Sequence, residues 1–431
     1  MPKIPSEKEI KTIIAAKRGS MVEFLRLAVT HSNPCMPENE GGDGPNAQDL
    51  VVAKLRQLGL EPEVRPLAGG DSGRGPSVAP AAAGTGLDYT DRRNVIAVWK
   101  GRGSGRSLTL NSHADIVGPA DRAAWKHPPF SAHFEEGVIL GRGSCDAKGS
   151  LTTYLYAIEC LRELGFEPSG DIVFESVPDE EGGGLGAVDG AQHFPTDGVL
   201  IGEPTDLDVM PGTRGACGLY IRVRGREAHS GVAFLGVNAI LNAQKYISAI
   251  TDLQRRLDLE HRHPLWDTYP VAHVFNIATI KGGKFGGVVP EQCDIGVTCG
   301  CIGGETTADL RAWVQAALDD VTQQDSWLRD HPPEITWTRP SFEPSACPPD
   351  HPLVQLLARA VEEASGRAPS VRAMTAGTDL RAFAERGIAG ANFGPGRLDQ
   401  GHAANERIAV ADMERALAAL LRFIPRWTNT G

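Results

Sequence analysis

Three consecutive carboxylates, Asp179, Glu180 and Glu181, sit at the end of an apolar run in VFESVPDEEGGG and are followed by three glycines. Side chains packed this closely repel one another, and no Lys or Arg lies within several residues. A strand as apolar as Asp171 to Val177 is expected to be buried, so its acidic tip needs a positive partner. A bound cation supplies one economically. Neighbours on extended chain point in opposite directions, and Pro178 can re-aim them. One glutamate can then hold a metal while the other faces a water on it. The plainer alternative is an acidic turn that caps the next helix.

Other segments offer matching donors. His113-Ala114-Asp115 follows the strand LTLNS. Asp115 could accept the second imidazole N–H and fix the tautomer, so that the free nitrogen of His113 faces a metal. In GRGSCDAKG, Asp146 stands in a glycine-rich turn just before a helix. It reads either as a helix N-cap or as a carboxylate bridging two ions. The segment lacks the GxxxxGK[ST] spacing of a phosphate loop. Glu203 ends the next strand in IGEPTD, and His402 follows a glycine loop in QGHAANERI. Together these are two histidines and four carboxylates. Two divalent ions sharing one carboxylate need about five protein ligands, leaving one carboxylate as general base.

These donors must be positioned by a scaffold, and the pattern of elements describes one. Helices are expected at Glu7 to Val29, Ala47 to Leu58 and Ser150 to Leu164, with strands at Asn94 to Lys100, Asp171 to Val177 and Gly198 to Pro204. Strands alternating with helices of this length indicate an α/β fold, a mostly parallel sheet with helices on both faces. In such sheets ligands collect beyond the carboxyl ends of the strands, where His113, Asp115, Glu180, Glu181 and Glu203 fall. The pattern changes after Gly215. CGLYIRVRG alternates as a half-buried strand, GVNAILNAQKYISAITDLQRRL is an amphipathic helix, and VFNIATIKGG and CDIGVTCGCI are strands. A helix at Thr306 to Val321 and the strand EITWTRPSF complete a compact α+β unit. The first style resumes with helices at Pro352 to Glu363 and Ala411 to Phe423. Residues 1–214 and 341–431 therefore read as one domain and 215–340 as an insertion. From Leu67 to Leu87 the chain is rich in Gly, Pro, Ala and Ser, a surface loop with no visible chemistry.

The bulk numbers narrow the function. At 431 residues the chain is long enough for two domains. A net charge of −11 argues against nucleic acid or an acidic membrane surface as partner. No apolar run approaches the roughly 18 residues of a membrane span, and the N-terminus lacks a signal-peptide core. The eight cysteines are scattered without a CxxC pair, as expected of reduced thiols in a cytoplasmic protein. No GxSxG elbow precedes a helix, which disfavours a serine hydrolase.

HAD, GRGSCDAKG, PDEEGG and IGEPT, then REAHSGVAFLGVNAI, VFNIATIKGG…VVPE and GTDL…FGPG…GHAANERI, resemble in order and spacing the M20 metallopeptidase family over about residues 90 to 425. That family includes acetylornithine deacetylase, succinyl-diaminopimelate desuccinylase, aminoacylases and glutamate carboxypeptidase. The resemblance implies two divalent metal ions per subunit, zinc first and manganese or cobalt as substitutes. His113 and Glu203 would hold one, Glu181 and His402 the other, and Asp146 would bridge them. Asp115 would orient His113, and Glu180 would act as base and then acid. The inserted unit, ferredoxin-like in this family, would be a lid and dimerisation domain. Its His229 would reach the partner subunit's site and steady the oxyanion, although from the residues alone His229 is a surface histidine near the start of the following helix. Asn276 would sit near the substrate and the Gly377-Thr378 loop would contact its carboxylate.

The implied activity is hydrolysis of an amide-type C–N bond in a small molecule, as in an N-acyl amino acid deacylase, by a homodimer or higher homo-oligomer. One departure matters. Many members carry an arginine ten residues after the proline matching Pro290, and here that position is Gly300. Arg214, Lys281, Lys284, Arg381 and Arg397 are the basic residues that could replace it. Its absence leaves room for a deaminase or deformylase acting on an aromatic amine or formamide. A dipeptidase or carboxypeptidase is a second rival, and a non-catalytic binding protein on the same scaffold is a third.

Overall fold

The computed structural model describes residues 4–31, 46–67 and 92–430. The expected loop after His31, Cys35, and nearly all of the Gly/Pro/Ala-rich insert lie outside the described residues. Helix α1 (Glu7–Thr30) opens with a capping box between Ser6 and Glu9, an arrangement that satisfies two orphan N–H groups at once. Then follow α2 (Ala47–Gln57), β1 (Glu63–Pro66), β2 (Arg93–Trp99) and β3 (Leu108–His113). A small hairpin, β4 (His133–Glu135) and β5 (Val138–Leu140), precedes α3 (Gly149–Glu163), β6 (Ile172–Val177), α4 (Leu185–His193) and β7 (Gly198–Ile201).

β8 (Gly212–Thr213) leads into β9 (Gly215–Arg224), α5 (Ala239–Glu260), β10 (Phe275–Gly282), β11 (Gln292–Cys301), α6 (Thr307–Gln324), α7 (Ser326–Asp330) and β12 (Glu334–Phe342). The chain closes with β13 (Ser345–Ala346), α8 (Pro352–Ser365), α9 (Leu380–Ala384), β14 (Ala389–Asn392), β15 (Arg407–Ala409) and α10 (Val410–Thr428).

The main sheet has the order β1-β2-β6-β3-β7-β14. The pairs β6/β3, β3/β7 and β7/β14 are parallel, and the edge formed by β1 and β2 is antiparallel. Every residue of β3, β6 and β7 is buried, the signature of strands covered on both faces. Alternation along β7 shows the two faces directly. Leu200 joins the large core with α1, α3, α8 and α10, whereas Val199 and Ile201 join a second core with α4 and α9. The expected mostly parallel sheet between two helical layers is what forms. Sequence periodicity overlooked α4 and α9, which are short and rich in glycine or alanine.

Residues of β9 to β12 build a separate antiparallel sheet in the order β10-β11-β9-β12. β9 alternates strictly between buried and less buried positions. Its inward side chains Cys217, Leu219, Ile221 and Val223 pack with α5 and α6 into a core of their own. The β-α-β-β-α-β order with this strand sequence is the ferredoxin-like arrangement.

Candidate metal centre

β3, β6 and β7 run in parallel, so their carboxyl ends lie side by side and bring His113, the acidic loop and Glu203 together. His113 is 2% exposed. Its Nδ1 lies 3.0 Å from the main-chain oxygen of Asp115. A carbonyl can only accept, so Nδ1 carries the hydrogen and Nε2 is turned toward Asp146 Oδ1, 3.2 Å away. The Asp115 carboxylate, expected on His113, stands 3.5 Å from Nδ1. It instead accepts from the backbone N–H groups of Glu180 and Glu181, at 3.2 and 3.1 Å. Asp115 thus orients the histidine through its backbone and the acidic loop through its side chain.

Asp146 is not a helix cap. α3 starts at Gly149 after Lys148, without a side-chain capping bond. Gly143, with φ of 81°, turns the chain so that Asp146 faces the pocket. Its two oxygens reach two histidines, Oδ1 to His113 and Oδ2 to His402 Nε2 at 3.4 Å. His402 adopts a left-handed φ of 59° and lies 2.8 Å from Glu181 Oε1. Ligand-capable atoms of His113, Asp146 and Glu203 lie within 4.8 Å of one another, as do those of Asp146, Glu181 and His402, and those of His113, Glu180 and Glu181. The six donors read from the sequence therefore converge, with Asp146 shared between two groups.

Electrostatics report the same crowding. Burial pushes Glu180 and Glu203 well above the usual carboxylate range, and neighbouring acids add to it. Burial also raises Glu181, against the pull of His402. Burial, the largest influence, would raise Asp146, but contact with His113 and the charges of His113, His402 and Arg142 together hold it low. One oxygen of Glu203 is buried without a hydrogen-bond partner. A pocket of this kind is costly unless positive charge enters it. Its oxygen and imidazole donors suit divalent ions such as zinc, manganese or cobalt.

Two residues that sequence reasoning missed tie the centre together. Glu406 is 1% exposed and accepts from the backbone N–H of Cys145 and Asp146 at 2.9 and 3.0 Å. Arg142 pairs with Glu406 at 2.6 Å and donates to the main-chain oxygen of His402 at 3.2 Å. This pair locks the Asp146 segment to the His402 loop. Its only trace in the sequence is Asn-Glu-Arg shortly after His402. Asp379, 1% exposed with neither oxygen hydrogen-bonded, packs against Gly184 beside Arg381.

The residues expected at the substrate fare differently. Thr378 is buried and donates its hydroxyl to Asn392 Oδ1 at 2.7 Å, so that hydroxyl is spent within the fold. Gly377 faces Phe342. Asn276 is exposed on β10, paired with Thr298. His229 is also exposed. It precedes a short 3-10 turn, Ser230–Leu235, and accepts from the Gly231 N–H. Neither joins the ligand groups of its own chain among the described residues. Of the basic candidates, Arg397 pairs with Asp399 and Lys284 with Glu227 and Glu291, all on the surface. Arg381 donates to the Gly183 oxygen at 2.9 Å and covers the Phe342 ring.

The chain matches the sequence model of peptidase family M20/M25/M40 over residues 109–426. It belongs to that family. Among curated relatives, an N-formyl-4-amino-5-aminomethyl-2-methylpyrimidine deformylase of Halalkalibacterium halodurans is 30% identical over 361 residues, 79% of this chain and 84% of that one. An acetylornithine deacetylase of Myxococcus xanthus is 30% identical over 429 residues, 95% and 97% of the two chains. Among solved structures, a tripeptidase from Staphylococcus aureus superposes with a TM-score of 0.70 at 18% identity, over 99% of this chain and 100% of that one. As an M20 protein the chain is a metal-dependent hydrolase of amide-type C–N bonds in small molecules. No helix among the described residues is long and apolar enough to cross a membrane.

Proposed function

We propose that this M20 enzyme removes a small acyl group, formyl first, from an amine that lacks an adjacent carboxylate. The observation that carries the choice is at Gly300. A Cβ there would lie 2.9 Å from Arg214 Cδ and 3.3 Å from the Val274 oxygen. The space that an arginine at this position would need is filled. Arg214 does not take over its role, because its terminal nitrogens face the main-chain oxygens of Thr375 and Val271 at 3.0 and 3.5 Å. Neither Gly300 nor Arg214 offers the bidentate fork that a substrate carboxylate prefers. A relative that deformylates an aminomethylpyrimidine agrees with this reading.

His113 and Glu203 would hold one divalent ion, Glu181 and His402 a second, with Asp146 between them. Zinc is the first choice and manganese or cobalt are substitutes. Bound there, the ions would supply a nucleophile at neutral pH and draw charge from the scissile carbonyl. Glu180, half-buried beside them, takes the proton of the attacking water and returns it to the leaving nitrogen. His229 of the partner subunit donates to the oxygen that gains charge. Asn276 approaches the substrate from the same lid, and the Gly377-Thr378 loop contributes backbone rather than the Thr378 hydroxyl. Residues 215–340 act as lid and dimerisation domain on the catalytic part, 1–214 and 341–431. Phe234, Leu235 and Leu241 in this unit are 82%, 57% and 60% exposed, an apolar surface that a second copy would cover. We place the dimer in the cytoplasm, in keeping with the unpaired cysteines among the described residues.

The test pairs one variant with a substrate panel. Glu180→Gln should keep its metal content and lose about 10²–10⁴-fold in turnover. Full turnover in that variant overturns the base assignment. Wild type should release formate from N-formyl aminomethyl-heteroaromatics faster than it cleaves N-acetyl amino acids or dipeptides. The opposite ranking overturns the substrate class.

A further inference from the structure

A second group of metal-type donors stands apart from the acid end of the sheet. His127, His133 and Glu135 offer two imidazole nitrogens and a carboxylate oxygen within 4.8 Å of one another, and none of the three belongs to the groups around Asp146. The rings of His127 and His133 lie face to face, 3.7 Å apart and 10° from parallel. His133 Nε2 is 3.5 Å from Glu135 Oε2. We infer that these residues form a separate site for one divalent cation of the zinc class.

The backbone places the donors before any ion arrives. His133 and Glu135 are two apart on β4, so they share one face of the hairpin with β5. His127 is fixed from both sides. The preceding residue, Lys126, donates its N–H to Asn405 Oδ1 at 2.7 Å. The following prolines turn the chain, with Ser131 N–H on the Pro128 oxygen and Arg142 N–H on the Pro129 oxygen. Two imidazoles and one carboxylate are the three protein ligands of an open zinc site. Tetrahedral zinc with bonds of about 2.0–2.1 Å sets its ligands about 3.3 Å apart. The ligand-type atoms lie within 4.8 Å of one another, but the rings are stacked, so one part-exposed imidazole must turn out of the stack to aim its in-plane nitrogen at a shared ion, and Glu135, whose side chain is 66% exposed, is free to close the remainder. Such a donor set prefers zinc, nickel or copper over magnesium or calcium. The alternative is an exposed ring stack with a weak ion pair.

The experiment is equilibrium dialysis of the whole protein against Zn²⁺ alone, followed by elemental analysis. His127→Ala and His133→Ala should each hold one equivalent fewer than wild type, with turnover retained. Equal zinc content in wild type and both variants overturns the site. Glu135→Gln, on the exposed hairpin, should keep the equivalent but shift its half-saturation to higher zinc, and an unmoved half-saturation excludes Glu135 as a ligand. Because the readout is a difference between proteins with the same acid end, it is independent of how many ions the Asp146 centre holds.

Discussion

The carboxyl end of the parallel sheet and the outer surface of the inserted sheet are opposites. At the first, charged side chains are buried or half-buried apart from His402, and they are aimed by irregular backbone at Gly143, Asp179 and His402, all with positive φ. At the second, regular strands and helices bury their apolar faces in a private core, while Phe234, Phe285 and Leu241 stay exposed. One region has polar groups that need cations, the other has apolar groups that need protein. In the proposed dimer both demands are met, and the proposed role of His229 connects them.

The sharpest way to break that pairing is at His229. His229→Ala should lower turnover about 10²–10³-fold, the usual effect of losing an oxyanion donor, with metal content unchanged. Mixed with Glu180→Gln, it should recover part of the wild-type rate, because hybrid dimers contain one intact combination. Absence of recovery in verified hybrids would return His229 to its own subunit. A smaller effect should separate ligands from the groups that hold them. Glu406→Gln keeps an acceptor for the Cys145 and Asp146 N–H groups but removes the charge opposite Arg142. It should weaken metal retention about 10–100-fold, with activity restored by added metal. Unchanged metal affinity would make the Arg142–Glu406 pair merely structural.

The smallest effect lies beneath the site. Burial raises Glu175 from 4.5 to about 8, and Asp189 and Asp379 add to the rise against the hydrogen bond from Asn111. A carboxyl raised in the folded state holds its proton there after the unfolded chain has lost it. Its effect is therefore a stability that falls as pH climbs from about 4.5 to about 8. Glu175→Gln should gain melting temperature relative to wild type on going from about pH 5 to about pH 9. A pH-independent difference would show that Glu175 ionises freely.

What was legible in the sequence follows the same contrast. His113, Asp146, Glu180, Glu181, Glu203 and His402 could be read because each ends a strand or lies in a glycine turn, where a charged residue has few other reasons to stand. The inserted unit could be read from the alternation of β9 and the stripe of α5. Glu406 could not, because an Asn-Glu-Arg run looks like any solvated turn until the fold buries it against Arg142. The Thr378 hydroxyl shows the converse. A threonine beside a glycine loop looks available, and only the position of Asn392 reveals that its hydroxyl is taken. The N-cap alternative for Asp146 depended on where α3 begins, and it begins at Gly149 with Lys148 at the cap position.

The tie between Arg142 and Glu406 spans most of the chain. During synthesis the donors at His113, Asp146, Glu180, Glu181 and Glu203 leave the ribosome first, as a crowded set of acids without His402 or the strut that aims Asp146. Domains fold broadly in the order in which they are made, yet this one lacks a finished pocket until its closing segment, Arg407–Ala409 and Val410–Thr428, has docked. A chain cut before His402 and Glu406 should therefore lack both a candidate ligand and the strut that aims Asp146, and should show no hydrolytic activity.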